Sequence, residues 1–160
     1  IKIEPSYYSK LSEILIYNDH IFNYVNRYKI EDLAKISLED YSISENEYND
    51  FKSYLSDKDI NYSNESEQAL SQLIATSKQE DYYKANQQAL QELKEKLRPD
   101  LAKDLDRNTQ EIKQMLESEL VSRTHFQKGR IEISLKSDPY IEEAKTVLMD
   151  TSKYNTILNK

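Results

Sequence analysis

The sequence predicts an all-α fold, and three observations lead to this prediction. Apolar residues recur at steps of three and four along most of the chain, which is the period of a helix with one buried face. The 160 residues include one glycine and three prolines, too few for the turns that sheets and phosphate-binding loops need. Mean hydropathy is −0.86, so the apolar residues must be gathered on one stripe per helix. We expect a single helical domain over residues 1–160.

Charge, hydropathy and cysteine content exclude several classes of function. The net charge is −7 and no block of basic residues stands clear of acidic ones, so a nucleic acid backbone would be repelled. No window approaches the roughly 20 apolar residues of a membrane span, and the first ten residues lack the features of a signal peptide. The absence of cysteine excludes disulfides and thiolate metal sites. A start at Ile1 rather than Met predicts a fragment of a larger protein.

Short helices are predicted across residues 6–79. The apolar positions up to Val25 indicate two short helices or one bent helix, with a break at Asn18 and Asp19, whose side chains compete for local backbone bonds. In residues 30–42 the apolar positions follow neither a helical nor a strand period. We expect a loop there, which can include one helical turn. Ser44 and Glu47 have the spacing of a capping box, which predicts the start of a helix.

The aromatic residues after that capping box are interpreted as core rather than as a ligand platform, since they recur at helical spacing. They are Tyr48, Phe51 and Tyr54, with Leu55 beside them. Ser63 or Asn64 is expected to cap the next helix, which ends near Lys78.

The segment 81–137 is predicted to form a long antiparallel helical hairpin or a kinked helix pair. Leucines at helical spacing lie on both sides of Arg98 and Pro99, and a proline disfavours the helical conformation of its predecessor. We therefore expect the two helices to be joined near Arg98, with Pro99 in the first turn of the second. Asp138 and Pro139 predict the start of a closing helix over residues 139–150, followed by a tail with helical spacing.

No catalytic, metal-binding or cofactor-binding residues are predicted. His20 and His125 are too few and too far apart to indicate a metal site, and the carboxylates are interpreted as solvated helix faces. A serine nucleophile needs a tight turn that usually contains glycine, and Gly129 is the only glycine. We interpret Gly129 as a bend or close-packing position rather than a binding residue.

Several segments resemble a known family. They are HIFNYVNRY at residues 20–28, YSISENEYNDFKSYLSDKDINYSNESEQALSQL at 41–73, EDYY at 80–83, and ELVSRTHFQKGRIEISLKSDP at 119–139. With the final helix that ends near Met149, they are similar to the C-terminal region of bacterial carboxyl-terminal processing (tail-specific) serine peptidases of the Bacteroidetes type. The segment VSR with FQKGRIE is the most specific, because helix periodicity alone does not produce that order.

The resemblance implies a parent serine endopeptidase of the periplasm or cell envelope, with a PDZ domain and a Ser-Lys dyad elsewhere in the polypeptide. Neither the Gly-rich turn of the nucleophile nor the carboxylate-binding loop of a PDZ domain occurs in this sequence, so no catalytic residue is carried over. The implied function is a non-catalytic domain that serves as scaffold, oligomerisation element or substrate guide. Its implied partners are the rest of the parent peptidase, a second copy of itself, and the parent's protein or peptide substrates.

Arg123, Phe126, Gly129 and Arg130 are our candidate domain-interface residues, because they lie in the segment that carries the resemblance most specifically. A second hypothesis is a stand-alone helical-hairpin adaptor that binds another protein through its leucine stripe. A third, a helical-bundle metalloenzyme, is weakened by the small number of histidines.

Overall fold

The computed structural model describes residues 3, 8–29, 31, 41–136 and 138–158. Nine helices and no strand lie within these residues, which confirms the all-α prediction. In chain order the helices are α1 Lys10–Tyr17, α2 His20–Val25, α3 Glu45–Ser56, α4 Glu65–Gln79, α5 Tyr83–Leu97, α6 Leu101–Arg107, α7 Thr109–Lys136, α8 Pro139–Met149 and α9 Thr151–Ile157. The prediction for residues 30–42 falls largely outside the described part of the chain.

Local side-chain bonds explain where several helices begin. The Ser44 hydroxyl accepts from the Glu47 amide, and the Glu47 carboxylate accepts from the Ser44 amide, so the predicted capping box opens α3. Asn64 caps α4 through the Glu67 amide, and Asp138 caps α8, with Pro139 in its first turn. These helix starts are the predicted ones.

The break between α1 and α2 also lies where the sequence predicts it. The first helix ends at Tyr17, and Asp19 adopts a left-handed conformation with φ of 56° before α2 begins. Short polar residues such as aspartate tolerate this region better than bulkier ones do. The structure therefore has two short helices rather than one bent helix.

The core is formed by α1, α2, α3, α6 and the first half of α7. Its fully buried members include Leu11, Leu15, Tyr24, Val25, Tyr48, Phe51, Leu55, Ile112, Leu116 and Leu120. Buried aromatic hydroxyls need partners. The Tyr48 hydroxyl donates to the Leu105 carbonyl at 2.7 Å, and the Tyr24 hydroxyl donates to the Asp50 carboxylate at 2.9 Å. The aromatic side of α3 is therefore core, as predicted.

A two-helix arm, consisting of α4 and α5, extends from this core. The two helices pack mainly on each other, and Asn64 at the base of α4 donates to the Leu97 carbonyl at the base of α5 at 2.8 Å. Only Leu70 and Ser77 are buried among the residues of the arm. The arm therefore contributes little to the central core.

The structure divides the segment 81–137 differently from the predicted hairpin. A helix boundary does lie at Arg98 and Pro99, but α5 packs mainly on α4 rather than on the helices that follow it. Pro99 precedes the N-cap Asp100 instead of lying in the first helical turn. Periodicity identifies an apolar face but not the helix that covers it, and α4 is joined to α5 by only three residues.

The closing helices α8 and α9 pack on each other and contain no buried residue. The tail, whose apolar residues have helical spacing, forms the helix α9 over Thr151–Ile157. None of the described helices is long and apolar enough to cross a membrane.

Candidate interaction surface at the bend of the seventh helix

The helix α7 is divided by a sharp bend at Phe126, whose φ of 52° and ψ of −147° are non-helical. This backbone conformation is essentially restricted to glycine, so a phenylalanine in it is strained. Arg130 nevertheless reaches Glu119, with 3.4 Å between Nη2 and Oε2. A straight helix would separate residues eleven positions apart by about 16 Å along its axis. The second half of α7 therefore folds back on the first half.

Gly129 allows the two halves of α7 to pack closely against each other. It is buried, and a Cβ atom there would lie 2.5 Å from the Val121 Cγ1 atom and 2.5 Å from the His125 Cβ atom. Both atoms lie next to the backbone within their own side chains. Relieving the clash would therefore require a shift of the helix backbone. Gly129 thus acts through packing, as its sequence context predicted, and its influence on the nearby surface is indirect.

Glu119 joins the two candidate arginines. Arg123 Nε donates to Glu119 Oε1 at 3.2 Å, and Arg130 approaches the other carboxylate oxygen. The Arg123 guanidinium also lies 4.5 Å from the centre of the Phe22 ring and donates to the Asn26 side chain. Charge-assisted bonds and stacking hold an arginine in one geometry. The bend is thereby attached to α2.

Phe126 has a different environment from the arginines, because its side chain is 74% exposed. Phe22, the ring beneath Arg123, is 47% exposed. The surface around the bend therefore presents aromatic rings next to basic groups. We call Phe22, Arg123, Phe126 and Arg130 the bend surface.

A cleft of about 830 Å³ lies beside the bend surface, between α7 and the first two helices. Its apolar lining includes Ile16, Ile21, Met115 and Ile133, with Glu119 and Arg130 also on its wall. The cleft shows that the second half of α7 does not close fully against α1 and α2. Of these apolar side chains Ile16 is 49% exposed, whereas Ile21, Met115 and Ile133 are buried.

The titratable groups outside this surface have structural roles. Burial and nearby Lys58 lower the pKa of His20, and His125 shares a hydrogen bond with the Thr124 hydroxyl. Burial raises the pKa of Glu117, which accepts a hydrogen bond from the Ile43 amide at 2.8 Å. Glu117 is thus a partly buried carboxylate rather than a solvated one. Within the described residues, no three acidic or histidine side chains are grouped as a metal site would need.

Comparison with protein families identifies the chain. Residues 11–148 match the family model for the C-terminal helical domain of a probable PDZ-protease. The chain belongs to this family. The match extends from α1 almost to the end of α8, so it includes the core, the arm and the bend surface. Comparisons with curated proteins and with solved structures gave no match.

Membership of this PDZ-protease domain family confirms the resemblance inferred from the sequence, which pointed to the C-terminal region of a processing peptidase. The structure brings three of the four candidate residues, Arg123, Gly129 and Arg130, into one packed unit. Sequence reasoning missed Glu119 and Asn26, which hold Arg123 in place. Asn26 lies 97 residues before Arg123, so no local pattern could have revealed this pair.

Proposed function

We propose that this domain is the non-catalytic scaffold of a carboxyl-terminal processing serine endopeptidase, and that it docks on the protease part of its parent through the bend surface. The parent protein is the partner that a PDZ-protease domain family suggests. The proposed location is the periplasm or cell envelope, following the peptidases that the sequence resembles. Docking of this kind would hold substrate-binding and catalytic parts in a fixed arrangement.

The strained and exposed Phe126 is the observation that carries this proposal. A bulky residue in a glycine-like conformation costs of the order of 1 to 3 kcal/mol, and its ring is not buried within the domain. Aromatic side chains at exposed positions are typical anchors of protein interfaces. The ring is well placed to enter an apolar pocket of the protease part.

Charge indicates the second property of the docking partner. Arg123, Lys128 and Arg130 lie within four positions of Phe126 in the sequence, in a chain whose net charge is −7. Lys128 is 84% exposed, and Arg130 remains about half exposed in its contact with Glu119. A complementary surface would therefore carry acidic groups around an apolar pocket.

Binding in trans tests this proposal. The protease part of the parent and the present chain are produced separately, and their association is measured by isothermal titration calorimetry. We expect Phe126→Ala to weaken binding by at least about tenfold, as the loss of an aromatic anchor typically does.

Tyr17→Ala is the matched control, because Tyr17 is 85% exposed and lies outside the bend surface. This variant should bind as the unchanged chain does. Equal affinity for the Phe126 and Tyr17 variants, or no association of the unchanged parts, would contradict docking through the bend surface.

A further inference from the structure

The described residues after Phe126 form a C-terminal unit, which consists of the second half of α7 with α8 and α9. Within this unit only Gly129 and Ile133 are buried, since α8 and α9 contain no buried residue. The cleft beside the bend surface separates part of the unit from α1 and α2. The unit is therefore held to the rest of the domain by a small area of contact.

The closest of these contacts join the C-terminal unit to the first half of α7. Arg130 reaches Glu119, and Gly129 lies so close to Val121 that an added Cβ atom would be 2.5 Å from the Val121 Cγ1 atom. The position number rises along one half as it falls along the other, so the two halves run antiparallel. Each half presents the groups that the other half contacts.

The connection between the two halves is a single strained residue. Phe126 has a backbone conformation that is essentially restricted to glycine, with helical residues on both sides of it. The sequence from Thr109 to Lys136 contains no proline, so Phe126 can adopt helical angles without the loss of a backbone donor. Helical angles at Phe126 release the strain, but they move the C-terminal unit away from its own Glu119 and Val121.

We propose that two copies of this chain exchange their C-terminal units, with Phe126 as the hinge. In the exchanged dimer Phe126 is helical, and the C-terminal unit of each copy packs on the first half of α7 in the other copy. A second copy is the partner that fits, because it presents the same Glu119 and Val121 that the unit contacts in the monomer. Short hinges under strain favour exchange of this kind.

Two opposing effects decide between the monomer and the exchanged dimer. Within one chain the two halves of α7 meet at an effective concentration on the order of millimolar, which favours the monomer. Exchange releases the strain of two Phe126 residues at once, which favours the dimer. The contacts of the C-terminal unit are the same in both forms, so they do not shift the equilibrium. Exchange is independent of docking at the bend surface, because it needs no protease part.

Sedimentation equilibrium of the chain, refolded from urea at a series of concentrations, tests the role of the hinge. We expect a dimer whose dissociation constant rises at least about tenfold in Phe126→Gly, because glycine tolerates the bend and disfavours a continuous helix. Phe126→Ala keeps the Cβ atom that causes the strain, so its dissociation constant should stay within about threefold of the unchanged chain. Phe126→Ala therefore separates exchange from docking, since it should weaken docking and keep the dimer.

A mixture of two charge variants distinguishes exchange from a dimer in which each C-terminal unit stays on its own chain. Arg130→Glu and Glu119→Lys each set like charges against each other in the monomer. In an exchanged dimer with one copy of each variant, both contacts again join opposite charges. We expect native mass spectrometry of the refolded mixture to show at least about fivefold more heterodimer than either homodimer. Arg123 keeps its bond to Asn26 in both forms, so it does not alter this ratio.

Two control variants carry the same changes in net charge at a pair within the C-terminal unit. Lys128 and Glu132 lie 3.7 Å apart and belong to the same unit in the monomer and in the exchanged dimer. A mixture of Lys128→Glu and Glu132→Lys should therefore give the statistical ratio of dimers. Ser134→Gly, away from the hinge, should leave the dissociation constant unchanged. A monomer at every concentration, a dimer unaffected by Phe126→Gly, or a statistical ratio for the first mixture would overturn the proposal.

Discussion

Glu117 is the residue at which pH should act on the stability of this domain. Burial raises its pKa above the ordinary value of 4.5, because the charged carboxylate is partly removed from water. A raised pKa means that the folded state binds the proton more tightly than the unfolded chain. The stabilisation from this group is therefore present below about pH 4.5 and is lost as pH rises through the folded-state pKa.

We therefore expect Glu117→Gln to be at least as stable as the unchanged protein near neutral pH, since the amide can still accept from Ile43. The advantage of the variant should shrink as the pH falls towards 4.5, because the protonated carboxyl no longer costs desolvation. Urea unfolding at several pH values measures this difference. Glu92→Gln is the matched control, because the Glu92 side chain is exposed on the arm. A Glu117→Gln advantage that grows on acidification would contradict the burial argument.

For Gly129 the sequence predicts the structural role but not the contacts. The role of Gly129 in close packing could be predicted, because a lone glycine within a helical pattern usually marks a bend or a close approach of the chain. Its partners Val121 and His125 could not be named, since they depend on a bend elsewhere. Phe22 has the spacing of a core residue, yet it lies under Arg123 at the surface, because the other helices cover a different side of α2.

The bend in α7 is the element whose backbone departs most from its sequence pattern. Phe126 has a glycine-like conformation, so Phe126→Gly removes the strain, whereas Phe126→Ala removes the same ring and keeps a Cβ atom. We expect the glycine variant to be more stable than the alanine variant by about 1 to 2 kcal/mol. Chemical denaturation with matched protein preparations measures this difference.

The expected order of these two variants is the reverse of that in an ordinary helix, where alanine is more stable than glycine by about 1 kcal/mol. Ser134→Gly and Ser134→Ala, at an exposed position in the second half of α7, provide that reference. Alanine should be the more stable residue at 134. Alanine more stable than glycine at both positions would show that Phe126 is not strained.

At the scale of the whole molecule, the arm and the core should be separable. No member of the central buried cluster lies within residues 65–97 of the described chain. The two ends of the arm are already adjacent, because the Asn64 side chain bonds to the Leu97 carbonyl. A short Gly-Ser linker can therefore replace residues 65–97 without stretching the core.

We expect the armless chain to unfold in one cooperative transition, with a midpoint within about 5 °C of the unchanged protein. Circular dichroism at increasing temperature measures both properties, and the helical signal should fall in proportion to the residues removed. Removal of α3 instead should prevent folding, because Tyr48, Phe51 and Leu55 are fully buried. An armless chain without a cooperative transition would show that the arm belongs to the core.

The amino-acid sequence by itself determined the fold class, most helix boundaries and the family of this protein. Helix starts depend on capping bonds within four residues, as at Ser44, Asn64 and Asp138, and such bonds are encoded locally. The tertiary structure alone decided that α5 pairs with α4 and that α7 folds back at Phe126. Both depend on which apolar faces meet across long chain separations, where burial outweighs the local preference of a single residue.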